Sequence, residues 1–137
     1  QVMNPNMELL FNGPQLRSFG FTFKLSPRTQ KEAETIRDII YRFKKAMAPK
    51  KIEPNLFLKA PNTWRLRYMN QGGNEHAYLN KFKECAMMSS SVNYTPDGSY
   101  ATYSDGSMVS YQLTLNFQEI EPVFDKDYDS VQGTVGY

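Results

Sequence analysis

Residues 17–47 join an alternating strand pattern directly to an amphipathic helix pattern, and this junction restricts the fold more than any other stretch of the chain. Four apolar residues alternate with small or polar ones, the period of two that places one side of a strand on a core. These four are Phe19, Phe21, Phe23 and Leu25. Ser26 then fits a helix N-cap and Pro27 the first helical position, which predicts a helix that begins immediately after the strand.

The apolar residues of this predicted helix recur at spacings of three and four, while charged residues occupy its other side. The apolar positions are Ala33, Ile36, Ile39, Ile40, Phe43, Ala46 and Met47. Ala48 and Pro49 end the periodicity, because proline cannot continue a helix. We therefore predict a helix at 26–47 that packs against the aromatic strand before it.

Several further segments read as strands. A short strand, turn and strand are predicted at 7–14, and brief strands at 56–58 and 63–69. In the last of these Trp64, Leu66 and Tyr68 face a core, and Arg65 and Arg67 face away. Residues 50–54 read as a basic surface loop, and the glycine pair at 71–75 as a flexible connection.

The second half of the chain contains the clearest strand. At 109–118, Val109, Tyr111, Leu113, Leu115 and Phe117 alternate with polar residues. Before it we predict a long extended region at 79–94 and a short strand at 100–103 between two glycine turns. Within 79–94 one parity is expected to face inward. It consists of Phe82, Ala86, Met88, Val92 and Tyr94.

Seven or so strands with one helix predict a mainly β fold: an antiparallel β-sandwich or partly closed barrel with one flanking α-helix. The 137 residues fit a single domain, 1–137. Because the first residue is Gln1, we expect this domain to be the C-terminal part of a longer protein.

The sequence offers little for catalysis, so we expect no enzyme, no cofactor and no metal site. His76 is the single histidine and Cys85 the single cysteine, whereas a metal site needs several such ligands. Cys85 fits a small residue of a core or sheet. An alternative stays open, in which a monomeric binding module or small enzyme uses the loop at 71–76.

Charge is small in sum and uneven in distribution: the net charge is +2. The basic cluster consists of Arg42, Lys44, Lys45, Lys50 and Lys51, and the acidic cluster of Glu119, Glu121, Asp125, Asp127 and Asp129. A solvated helix end explains the basic cluster without nucleic acid. As a hypothesis, the two clusters contact neighbouring subunits, where opposite charges fix register. No apolar run is long enough for a membrane span, so we expect no membrane contact.

The polar parity of the last strand lacks the lysine, proline or bulge that commonly protects an exposed strand edge, and the first strand is similar at Ser18, Gly20 and Thr22. We therefore predict that these two strands belong to a sheet continued between subunits, with its polar side facing a lumen. The alternative is that the two strands pair only with each other inside one subunit. The residues of this predicted surface are Ser18, Gly20, Thr22, Ser110, Gln112, Thr114, Asn116 and Gln118.

Four segments of the chain, taken together, resemble the baseplate tail-tube junction proteins, or tube initiators, of T4-like contractile-tailed bacteriophages. The segments are FGFTFKLSPRTQKEAETIRDIIYRFKKAMAPK at 19–50, FLKAPNTWRL at 57–66, LNKFKECA at 79–86 and NYTPDGSYATYSDGSMVSYQLTLNFQEIEP at 93–122. They cover most of the chain in the order typical of that family, and none of them is a catalytic signature.

This resemblance implies a tail-tube fold and a hexameric ring between the baseplate hub and the stacked rings of the tail tube. DNA would pass transiently through its lumen, and the protein would reside in the virion, at the junction of baseplate and tube. Family members usually carry a longer region before this domain, which leaves a role in hub binding open. The main tail-tube protein, which has the same fold, is the other candidate.

Overall fold

The structure is a computed structural model that describes residues 15–54, 56–58, 62–98 and 101–137. The strands predicted at 7–14 and the first residue of the strand predicted at 100–103 lie outside these ranges. The chain divides into two compact units, each assembled from separate stretches of sequence. The first contains residues 18–64 and 86–118, and the second contains the described N-terminal residues up to Arg17, with 65–85 and 119–137.

A four-stranded antiparallel sheet that curls into a half-barrel organises the first unit. Its strands are β1 (Ser18–Leu25), β4 (Thr63–Trp64), β5 (Cys85–Asn93) and β6 (Tyr111–Glu119), in the order β1-β6-β5-β4. One helix, α1 (Gln30–Met47), follows β1, and β2 (Lys50–Glu53) pairs with β3 (Leu56–Leu58) in a separate hairpin. The prediction of a mainly β, antiparallel fold with one main helix is thus confirmed.

Strand β6 confirms the alternation read from the sequence. Leu113, Leu115 and Phe117 are buried, while Asn116 between them is exposed. Strand β1 follows the same parity with less burial: Phe23 is 47 % exposed. Because the two strands pair in a register that aligns their apolar residues, both contribute to one side of the sheet.

Helix α1 presents its predicted apolar side to the core and begins later than predicted. Ile36 and Ile40 are buried and cluster with Tyr111 of β6. The predicted cap at Ser26 is wrong, because the Oγ1 atom of Thr29 accepts the Glu32 amide and makes Thr29 the N-cap. A Thr-x-x-Glu sequence satisfies orphan amides more completely than the Ser-Pro pair before it does.

Other boundaries also differ from the sequence expectations. The predicted basic loop at 50–54 is mostly β2, because it pairs with β3. The strand predicted at 63–69 is reduced to β4, although the next residues keep the expected alternation of half-buried and exposed side chains. In place of the strand at 100–103 there is an isolated bridge between Thr102 and Met108.

The extended region predicted at 79–94 shortens to β5, and its inward parity is wrong at the start of that strand. Cys85 and Met87 are buried there, whereas Met88 is 58 % exposed. Further along the strand the predicted parity holds, since Val92 packs on the cluster that contains Tyr111. The inward side therefore changes parity within the strand.

The second unit is held by backbone hydrogen bonds between distant parts of the chain. The Lys81 amide donates to the Gly136 carbonyl, and the Val135 amide to the Ala77 carbonyl. A 3-10 helix at Asp125–Val131 lies in its C-terminal part. Gly136 has a φ of 81°, and a Cβ atom there would clash with the Tyr128 ring.

Candidate assembly surface

The polar residues predicted on the first and last strands form one continuous face of the sheet, with one exception. The β1–β6 register places Ser18 opposite Gln118, Gly20 opposite Asn116, and Thr22 opposite Thr114. Residues that face each other across antiparallel strands lie on the same side of the sheet. The structure therefore brings seven of the eight predicted residues together.

Ser110 is the exception, and its predicted place on an outward polar face is wrong. It precedes β6 and is 7 % exposed. Its Oγ atom lies 3.3 Å from the Ser26 Oγ atom, within hydrogen-bond distance. The strand predicted at 109–118 starts two residues before β6, so Ser110 belongs to the loop before that strand.

Two residues of this face were missed by the sequence analysis. Lys24 continues the outward parity of β1, lies opposite Gln112, and forms an ion pair with Asp97 at 2.7 Å. Ser89 of β5 accepts a hydrogen bond of 2.8 Å from the Asn116 amide group. In the sequence, Lys24 continues the alternation of the first strand, and Ser89 belongs to the serine run at 89–91. Both extend the polar face.

The two strands differ in their access to another chain. Strand β6 lies between β1 and β5, so among the described residues it has no open edge, and it pairs with β1 inside one chain. Strand β1 is at the end of the strand order. A sheet continued to another subunit can therefore use the β1 edge but not β6, whose two neighbours belong to the same chain.

The hydrogen-bond direction along β1 follows from one backbone contact just before it. The Glu119 amide donates to the Arg17 carbonyl at 2.9 Å, in the same register as the β1–β6 ladder. Antiparallel pairs alternate between bonded and non-bonded, so Phe19, Phe21, Phe23 and Leu25 bond to β6. The backbone groups of Ser18, Gly20, Thr22 and Lys24 point away from it and have no strand partner within the described ranges.

The acidic cluster is only partly at the surface, and Glu119 does not belong to it. Its side chain is fully buried and accepts two hydrogen bonds from Arg17, at 2.6 and 2.9 Å. The Lys83 amide donates a third, at 2.7 Å. The Glu119 carboxylate raises the pKa of Arg17. The prediction of a surface contact for Glu119 is therefore wrong, because a carboxylate without water needs such partners.

Asp127 is also engaged within its own unit. Its carboxylate accepts the Phe124 amide and pairs with the Lys83 Nζ atom at 3.0 Å, and these contacts lower the pKa of Asp127. Glu121 lies 3.8 Å from the same Nζ atom. The side chains of Asp125 and Asp129 are exposed, so these two remain candidates for a contact with a neighbouring subunit.

The basic cluster at the end of α1 is exposed where the structure describes its side chains. Arg42 pairs with Asp38 of the same helix at 2.9 Å, and the Lys44 Nζ atom donates to the Tyr94 hydroxyl at 3.3 Å. Lys45 and Lys51 are exposed. The side chain of Lys50 lies outside the description. Contacts of this cluster with other subunits stay a prediction.

The loop at 71–76, the alternative site, has an ordered turn. The Asn70 side-chain oxygen accepts the Gly72 and Asn74 amides at 3.0 and 3.1 Å. His76 is half-buried, and its Nδ1 atom accepts the Tyr78 amide. The described residues contain no group of three or more histidine, cysteine or acidic side chains placed to bind a metal ion.

Cys85 has the predicted character of a core residue. It is fully buried, and its Sγ atom donates to the Lys83 carbonyl. Burial raises the pKa of the Cys85 thiol to about 11, from an ordinary value of 9.0. A thiol with this pKa remains protonated and unreactive at neutral pH.

No helix among the described residues has the length and hydrophobicity needed to span a membrane. Comparison of the chain with protein-family models and with curated proteins found no match.

Proposed function

We propose that the chain is a structural subunit of a ring that joins a phage baseplate hub to the tail tube and initiates tube assembly. In this proposal the half-barrel and its helix form one subunit with the tail-tube fold. Six such subunits close a ring around a channel through which DNA passes. The observation that carries the proposal is the β1 edge, whose outward backbone groups adjoin a polar face on which Lys24 is paired with Asp97.

A strand edge of this kind favours addition of another strand. Its amides and carbonyls need hydrogen-bond partners, and a strand from a second subunit supplies them in register. The β1 edge carries Lys24 near one end, while Ser18, Gly20 and Thr22 leave the rest without charge. Close approach of a neighbouring strand therefore costs little there.

The face formed by β1 and β6 supports the second part of the proposal, the hydrated channel. Its side chains are hydroxyl and amide groups, with Lys24 paired to Asp97. Such groups remain satisfied by water and offer DNA phosphates few fixed cations to bind. A passage lined in this way would let DNA move through without being held, because phosphate contacts dominate DNA affinity.

Substitution of Thr22 by proline tests this function. The Thr22 amide points away from β6, so Thr22→Pro removes a donor from the β1 edge and leaves the β1–β6 ladder intact. Thr22→Ala keeps that amide and serves as the matched control. Sedimentation velocity and negative-stain imaging at rising protein concentration measure assembly, and circular dichroism melting measures folding.

We expect the parent chain and Thr22→Ala to form closed rings, and folded Thr22→Pro to remain monomeric. Rings formed by Thr22→Pro would exclude the β1 edge as the subunit contact. A parent chain that stays monomeric at the highest concentration reached would contradict the ring itself and favour a monomeric binding module. Thr114→Pro is a poorer test, since β6 is interior and its ladder belongs to the fold.

A further inference from the structure

The second unit contains a polar cleft of about 640 Å³ whose walls carry two pairs of cations. Arg65 and Arg67 lie two residues apart just after β4, where exposed and half-buried side chains alternate, and Lys81 and Lys83 lie two residues apart just before β5. Side chains at this spacing point to the same side of an extended backbone. Arg65 and Arg67 thus form a two-residue exposed row at the cleft, and Lys81 and Lys83 lie half-buried in its wall.

The two pairs differ in how far their charge is already neutralised. The Lys81 Nζ atom lies 3.1 Å from Glu75, and the Lys83 Nζ atom 3.0 Å from Asp127. Both lysine side chains are only 15 % exposed. Arg65 and Arg67 are exposed and have no ion-pair or hydrogen-bond partner among the described residues. The arginines are therefore the cations available to a ligand.

From this arrangement we propose that the cleft binds an extended acidic peptide segment of a partner protein, through paired carboxylates that contact Arg65 and Arg67. Carboxylates on alternate residues of an extended peptide repeat about every 7 Å, which is the repeat of the arginine row itself. The guanidinium group binds a carboxylate with two parallel hydrogen bonds, which gives geometric selectivity as well as attraction.

The acidic residues that line the cleft are Glu75, Glu84 and Glu121, and they define how the peptide must approach. Glu75 is held against Lys81, Glu121 lies beside Lys83, and Glu84 follows Lys83 in the chain, so negative charge gathers on the lysine wall. An acidic ligand is repelled from that wall and attracted to the arginine wall. Lys81 and Lys83 are already paired with acidic side chains, so Arg65 and Arg67 supply the binding charge.

A labelled peptide tests this site without requiring ring assembly, so its result is independent of the proposed function. The probe is a fluorescein-labelled peptide in which glutamate alternates with threonine, and its control carries glutamine at every glutamate. Fluorescence anisotropy is measured at low and at physiological salt. The protein variants are Arg65→Gln, Arg67→Gln and the double variant, with Arg37→Gln on the exposed side of α1 as a charge-matched control.

We expect the glutamate peptide to bind, with affinity that falls as salt rises, and the glutamine peptide to bind at least tenfold more weakly. Each cleft variant should weaken binding about threefold and the double variant about tenfold, while Arg37→Gln leaves it unchanged. Absence of binding by the parent chain would overturn the proposal, as would a double variant that binds like Arg37→Gln. Tighter binding of an oligothymidylate than of the peptide would replace the acidic peptide with a nucleic-acid strand.

Discussion

The two residues of the buried ion pair, Arg17 and Glu119, differ in exposure. We therefore predict that substituting each of them lowers the stability by a different amount. The Glu119 side chain has no exposed surface, whereas the Arg17 side chain is 33 % exposed. Arg17→Met removes both arginine hydrogen bonds and leaves the buried Glu119 carboxylate with the bond from the Lys83 amide. Removing one partner of a buried pair costs about 3–5 kcal/mol, so Arg17→Met should lower the free energy of unfolding by that amount.

Glu119→Gln should cost less, about 1.5–3 kcal/mol, because it removes hydrogen bonds to a charged group but lets Arg17 turn toward water. The combined Arg17→Met, Glu119→Leu variant should be more stable than Arg17→Met alone, since it no longer buries an unpaired charge. Arg28→Met is the matched control. Its pair with Glu32 is exposed and 3.6 Å long, so its loss should cost less than about 1 kcal/mol.

Urea denaturation monitored by far-UV circular dichroism, and separately by the fluorescence of Trp64, measures these values. Coincident transitions justify a two-state free energy, and an unchanged m-value assigns the shift in midpoint to stability. If Arg17→Met costs no more than Arg28→Met, then Glu119 is not buried as described. If Glu119→Gln costs more than Arg17→Met, the asymmetry argument is wrong.

Two further predictions concern Gly136 and Cys85. Gly136→Ala should destabilise the fold by about 2–4 kcal/mol, because it combines a positive φ with a clash against the Tyr128 ring. Gly98 also has a positive φ, of 86°, but a Cβ atom there meets open space, so Gly98→Ala is the control and should cost about 1 kcal/mol. Thermal melts measure both variants. Folding raises the pKa of the Cys85 thiol from 9.0 to about 11. The thiol therefore contributes its full stabilisation to the folded state below pH 9. This contribution declines as the pH rises toward 11, by up to about 1.4 kcal/mol per pH unit. The stability difference between the parent and Cys85→Ala should therefore narrow between pH 8.5 and 10.5 in urea titrations, and a constant difference would contradict the raised pKa.

The periodic segments could be predicted because their side chains repeat along one backbone. The apolar sides of β6 and α1 follow from spacing alone. The start of α1 differs from the prediction because both Ser26 and Thr29 have a side chain that can cap a helix. The N-cap is the residue whose hydroxyl reaches an unpaired backbone amide of the first turn, and in the structure this is Thr29. Sequence patterns of this kind locate an element better than they locate its ends.

Long-range partners could not be predicted in the same way. Glu119 shares the inward parity of Leu115 and Phe117, and that was a signal of its burial, but its cation lies 102 residues earlier in the chain. The interior position of β6 likewise depends on β5, which contacts it through the folded sheet and not through sequence proximity. Of the assembly surface, the polar parity was therefore foreseeable, while the edge that carries it was not.

Variants at Arg17 and at Thr22 distinguish two causes of failed ring formation: an unstable subunit fold and a blocked β1 edge. The Arg17 carbonyl and the Glu119 amide form the backbone pair next to the first rung of the β1–β6 ladder, so loss of the buried ion pair should loosen that end of β1. Assembly would then decline in step with stability and recover in conditions that stabilise the fold, such as added osmolyte. Thr22→Pro acts on an outward backbone group, so osmolyte should restore its stability without restoring its rings. Recovery of both variants under the same conditions would show that fold integrity alone limits assembly, and the β1 edge would then have no separate role.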